Sequence, residues 1–184
     1  AQLHLPVVIG QIDDEASFKE LLLRQCQPNA EAVLDYELCC YDTQISSITG
    51  LNYEFITAAR LDNLLSTYIG AKALLDSDQK QCRLFVATDH EEIGSKSSSG
   101  AQGPFLKSVL ERLTTDARDL TQVISKSRLI SCDNAHALHP NYADKHDQNH
   151  GPKINNGPVI KMNNNQRYAT NSISSARFQR LCKK

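Results

Sequence analysis

Two short apolar runs, Cys82-Arg83-Leu84-Phe85-Val86-Ala87-Thr88 and Arg128-Leu129-Ile130-Ser131-Cys132, lead straight into acidic residues. Each has the length and the β-leaning composition of a buried strand. Between them Pro104 opens a helical stripe of Phe105, Leu106, Val109, Leu110 and Leu113. Strand, helix, strand implies an α/β fold, in which parallel strands joined by helical crossovers bring their carboxyl ends to one edge of the sheet. Ligands of open α/β sheets gather at that edge. Asp89-His90-Glu91-Glu92 after the first run and Asp133 after the second are therefore placed where they could converge.

The adjacent pair Glu91 and Glu92, followed by the Gly/Ser-rich loop Gly94-Ser95-Lys96-Ser97-Ser98-Ser99-Gly100, suits a metal hydrolase. One carboxylate would bind the cation while its neighbour handles the proton of the attacking water. Taken alone, the pair is better read as two solvated loop glutamates, since glutamate is mostly exposed. Asp133 shifts that balance, and Asp62 shifts it further. Leu61, Leu64, Leu65, Tyr68, Ala71 and Leu75 fall on one face at helical spacing, with Asp62 and Asn63 in the first turn. An aspartate there is also favoured by the helix dipole alone. Three acidic points at the ends of consecutive core elements are harder to explain without a site.

Other motifs are excluded or weak. His90-Glu91-Glu92-Ile93-Gly94 lacks the second histidine of the zincin pattern and follows a strand, not a helix start. His146 and His150 are four apart, but Gly151-Pro152 follow and the surroundings read as loop, so solvent-facing histidines are the default. The loop from Gly94 to Gly103 has neither GxGxxG nor a P-loop lysine, and its glycines are expected to let backbone pass close to the metal site.

Twenty basic residues against twenty-one acidic ones leave a net charge of −1, so no field points to nucleic acid or to a membrane surface. With 40% hydrophobic residues the chain could bury a substantial core. The apolar run from Leu3 to Ile9 is too short to span a membrane and lacks signal-peptide architecture, which fits a cytoplasmic protein. The six cysteines form no CxxC pair and read as reduced, with Cys82 and Cys132 acting as small hydrophobes inside strands. Residues 1–12 are expected as a strand and Asp14 to Cys26 as a helix with Phe18, Leu21 and Leu22 on one face, ending at the break Gln27-Pro28-Asn29. Asp35 to Thr43 reads as extended, His136 to Asn156 as a long polar loop, Val159 to Met162 as a strand, Asn163-Asn164-Asn165 as a turn, and Ser172 to Cys182 as a helix capped by serines.

Four motifs in order, RLDN at 60–63, DHEEIGS at 89–95, SCDNAHALHPNYADKH at 131–146 and GPVIKMNNNQRYATN at 157–171, closely resemble the aspartyl aminopeptidase family. These are zinc exopeptidases related to vacuolar aminopeptidase I, and the similarity is nearest to the bacterial members. The resemblance runs from about Leu34 to the C-terminus, with a weaker match of His4 to Gln11 to the domain these enzymes insert for dimerisation. It implies an α/β fold with a three-layer, mixed-sheet core, present in part. Residues 1–34 would be part of the inserted dimerisation domain, and 35–184 the central part of the catalytic domain.

It also implies roles. Asp62 would bridge two zinc ions, Glu92 would ligate one and Asp133 the other, and Glu91 would be the general base. His136 would lie beside the scissile carbonyl, while Lys161 and Tyr168 would bind a peptide substrate, the lysine through an acidic first side chain. The family places a histidine at each flank of the metal site. His4, in His-Leu-Pro, is not in such a motif, and none follows NQRYATN. The expectation is a homo-oligomeric aminopeptidase of which these residues are the central part. The alternative is a truncated module that contributes fold and assembly surface only.

Overall fold

The computed structural model describes residues 2–4, 6–11, 17–26, 29–78 and 80–183. The chain divides into two units, Ala1–Thr57 and Ala58–Lys184. Within the first, the helix α1 spans Phe18–Gln25 and starts at a capping box: Ser17 accepts from the Glu20 N–H, and the Glu20 side chain accepts from the Ser17 N–H. Residues 14–16 of the helix expected from Asp14, and Gln27-Pro28 of the expected break, lie outside the described residues. Lys19 donates to the Leu34 carbonyl at 2.7 Å, and the Phe18 and Tyr36 rings meet edge to face at 5.4 Å, so α1 rests on the segment that follows it.

Among the described residues the strand expected over 1–12 is not formed: Gln2–His4 is a 3-10 turn, and residues 6–11 run without a ladder, while 1, 5 and 12 lie outside the described residues. The unit has instead a hairpin of β1 (Ser47–Thr49) and β2 (Phe55–Thr57), antiparallel, with Ser47 opposite Thr57 and Ile48 opposite Ile56. Gly50, at φ 98°, turns the chain where a Cβ would collide with the Glu54 carboxylate.

The second unit holds four α-helices among its described residues: α2 (Leu61–Leu75), α3 (Phe105–Leu113), α4 (Ala117–Lys126) and α5 (Ser172–Cys182). The apolar stripes predict α2, α3 and α5. The fourth helix, α4, is an addition: Asp116 caps it by accepting from the Asp119 N–H at 2.8 Å, and Leu120, Val123 and Ile124 recur at helical spacing. At α5 the cap is Asn171, working reciprocally with Ser174. Gly70 of α2 faces the Phe85 ring, where a Cβ would lie 2.6 Å from it, and this seats α2 against the segment leading to Glu91 and Glu92.

The expected strands at 82–88, 128–132 and 159–162 have no ladder partner among the described residues. A strand is defined by its neighbour, and these segments have no assigned secondary structure. The core expected from composition is likewise missing, since no hydrophobic side chain is buried among the described residues. Leu84 is 54% exposed, Leu129 84% and Ile130 70%. Cys82 and Cys132 are exposed, not packed as hydrophobes, and all six cysteines are unpaired.

Candidate functional site

The first turn of α2 departs from a regular helix. Arg60 lies in the left-handed region at φ 60° and its side chain makes no cap, while Asp62 (ψ 108°) and Asn63 (φ −118°) have non-helical backbone around a cis peptide bond. From this turn Asn63 Nδ2 reaches the segment after the second apolar run, donating to the Cys132 carbonyl at 3.3 Å and to Asp133 Oδ1 at 3.0 Å. Asn63 Oδ1 is buried without a partner. An unmatched buried acceptor is costly, which makes the amide's other contacts a constraint on the turn.

Asn134 ties the same two segments in return. Its Oδ1 accepts from Ser66 Oγ at 2.6 Å, and its Nδ2 donates to the Leu61 carbonyl at 3.0 Å. Lys161 closes the group: its Nζ lies 2.5 Å from Asp133 Oδ2 and 2.7 Å from the Asn134 carbonyl. Both Asp133 oxygens are therefore engaged, one by an amide and one by an ammonium. The aspartate is about half exposed, at 49%, so solvent screens this ion pair.

Glu91 and Glu92 stand on the 3-10 turn Glu91–Ile93, bounded by left-handed His90 (φ 59°) and Gly94 (φ 101°), and both are exposed. The loop behind them folds tightly on itself: Asp89 N–H donates to the Ser99 carbonyl at 3.1 Å, Gln102 N–H to the Ser95 carbonyl at 3.0 Å, and His90 Nδ1 meets Ser97 Oγ at 2.6 Å. Gly100 and Gly103 permit this. A Cβ on Gly100 would stand 2.3 Å from the Ser95 carbonyl oxygen, and one on Gly103 would stand 2.1 Å from that of Ser97. The close approach is thus between loop and loop.

His136 is exposed, and Tyr168 is held through its backbone, whose N–H donates to Asn163 Oδ1 at 3.3 Å. The turn expected at Asn163-Asn164-Asn165 is present and supplies that acceptor. Within the expected loop at 136–156, Pro140–Lys145 forms a 3-10 turn capped by His139, and Leu138 N–H donates to the Pro152 carbonyl at 2.7 Å. His146 ends that turn and His150 pairs with Asp147 at 2.9 Å, outside any helix that could aim both histidines at one ion.

Of the residues expected at the site, Asp133 and Lys161 are in direct contact, and Asn63, the residue after Asp62, also contacts Asp133. Among the described residues, no side-chain hydrogen bond joins Asp62, Glu91, Glu92, His136 or Tyr168 to this group, and no three His, Cys, Asp or Glu side chains gather closely enough to hold a metal. Zinc sites take nitrogen or sulfur donors as well as carboxylates. The residues present do not make a zinc site by themselves. Asn63, Ser66 and Asn134 escaped the sequence reading, although a signal was there: Asp62 and Asp133 are each followed directly by asparagine.

Taken together, the chain is of mixed α/β class, with Asp133 and Lys161 paired beside the Asp62-Asn63 turn that opens α2. The chain belongs to the aminopeptidase I zinc metalloprotease family, M18, whose model matches residues 10–184. It is 54% identical to the probable M18 family aminopeptidase 2 of Ectopseudomonas mendocina, over 99% of this chain and 44% of that protein. The counterpart in Azotobacter vinelandii is 53% identical with the same coverage. The chain thus spans less than half the length of these relatives. Among solved structures, the cryo-EM structure of the Ape4 and Nbr1 complex superposes with a TM-score of 0.72 at 37% identity, over 77% of this chain and 29% of that one. The structure of Chaetomium thermophilum mApe1 gives 0.65 at 29% identity, over 78% of this chain and 34% of that one.

Proposed function

We propose that this chain is the central part of a metal-dependent aminopeptidase that removes N-terminal residues, acidic ones by preference, from peptides. The observation that carries the reading is the joining of Asp133, Lys161 and the Asp62-Asn63 turn in one hydrogen-bonded group, inside a chain of the M18 family. In this reading Asp62, Glu92 and Asp133 are the carboxylate ligands of two zinc ions, completed by histidines outside residues 1–184. Glu91 takes the proton from the attacking water. His136 steadies the oxygen of the tetrahedral intermediate, and Lys161 and Tyr168 hold the substrate, with the ammonium pairing an acidic first side chain.

We infer the same architecture for the whole polypeptide: a three-layer core in which segments 82–88 and 128–132 find ladder partners, with residues 1–34 belonging to an inserted dimerisation domain. The protein is then a cytoplasmic homo-oligomer. The test is release of an N-terminal aspartate from a chromogenic peptide, with and without a chelator. Chelator-sensitive turnover supports the reading; its absence supports a second one, a fold and assembly module without chemistry.

A further inference from the structure

We propose that Asn134 is a positioning residue whose side-chain amide clasps residues 132–134 to the start of α2, setting where the carboxylates of Asp62 and Asp133 lie relative to each other. The clasp is two-sided. Oδ1 takes the Ser66 hydroxyl at 2.6 Å, and Nδ2 gives its hydrogen to the Leu61 carbonyl at 3.0 Å. These anchors bracket Asp62 in the chain, one on the residue before it and one further along the helix. The backbone carbonyl of Asn134 accepts from Lys161 at 2.7 Å, so the same residue also fixes the ammonium that faces Asp133. Asn63 adds a strand of support from the other side, through Cys132 and Asp133. Asn134 and Ser66 are both partly buried, which limits competition from water.

An asparagine is required by this geometry because one end must accept and the other must donate. Aspartate could take the Ser66 hydroxyl but would set a second oxygen against the Leu61 carbonyl. Leucine would fill the space and satisfy neither group. A long amide, glutamine, carries the same atoms a methylene too far out. The consequence for metal binding rests on the proposed function above; the clasp itself does not.

The test uses the protein as expressed from its own gene, with four variants: Asn134→Ala, Ser66→Ala, Ser66→Thr and Asp133→Asn. Amide hydrogen exchange is followed at residues 61–67 and 132–134, and zinc affinity is measured by competition with a chromophoric chelator. Asn134→Ala should speed exchange in both segments together, about tenfold or more, and weaken zinc binding by one to two decades. Ser66→Ala should do the same more weakly, and Ser66→Thr, which keeps the hydroxyl, should restore wild-type behaviour.

Faster exchange in one segment only, or a Ser66→Thr variant no better than Ser66→Ala, would overturn the proposal. If exchange couples as expected while Asp133→Asn leaves zinc affinity unchanged, the clasp stands and the assignment of Asp133 as a ligand fails. Should Asn134→Ala be too unstable to purify, the Ser66 pair decides the matter alone.

Discussion

Glu91 and Glu92 are adjacent and both exposed, yet the proposed chemistry assigns them opposite duties. Glu91→Gln keeps the size of the side chain and removes its capacity to take a proton. Turnover in the protein as expressed from its own gene should fall by at least about two decades, while zinc content stays near that of the wild type. Zinc lost along with activity would mean that Glu91 is itself a ligand. Lys161→Ala should reduce kcat/KM for substrates with an acidic first residue more than for neutral ones, and equal losses would remove the lysine from specificity. A different group responds to pH. Asp147 accepts from the Asn149 and His150 N–H groups at 2.7 and 2.9 Å and from His150 Nδ1, and these hydrogen bonds, the Asn149 one foremost, hold its carboxyl below the ordinary value of 3.8. A depressed carboxylate supports its turn above that value and ceases to as pH falls through the lower, folded one. The Asp147 side-chain carboxyl carbon should thus titrate in an NMR pH series with its midpoint below 3.8; a midpoint at or above that value would contradict the assignment.

At the scale of elements, the loop from Gly94 to Gly103 is held by backbone proximity that only glycine allows. Gly100→Ala would press a methyl into the Ser95 carbonyl, and the overpacking should destabilise the protein by about 1–3 kcal/mol in urea denaturation. A change within about 0.5 kcal/mol, the range of neutral surface substitutions, would show that the loop opens freely. The apolar stripes of α2 and α3 were legible because helical periodicity is local, carried by residues three and four apart. The start of α4 was equally local, written in Asp116 and the spacing of Leu120, Val123 and Ile124, but a run of polar residues obscured it. The hairpin of β1 and β2 was hidden because each strand is three residues long, too short for alternation to register. The clasp of Asn134 on Leu61 and Ser66 joins residues about seventy apart in sequence, and no local pattern announces such a partner.

For the molecule as a whole, the sequence marked the α/β class but not the fate of the apolar side chains. Burial depends on what lies opposite a face, and a strand such as 128–132 exists only with a neighbour. With Leu129 and Ile130 open to solvent, the 184-residue chain on its own should bind a hydrophobic dye strongly and self-associate at micromolar concentration. Weak dye binding with a monomeric profile on size exclusion would mean that those faces are covered within the chain. The proposed function turns on one assay, the zinc-supplemented hydrolysis of an N-terminal-aspartyl substrate by the protein as expressed from its own gene. We expect turnover that a chelator abolishes, that zinc restores and that Glu91→Gln lacks. Turnover indifferent to the chelator, or none at all in a zinc-loaded protein, would contradict a metal-dependent aminopeptidase.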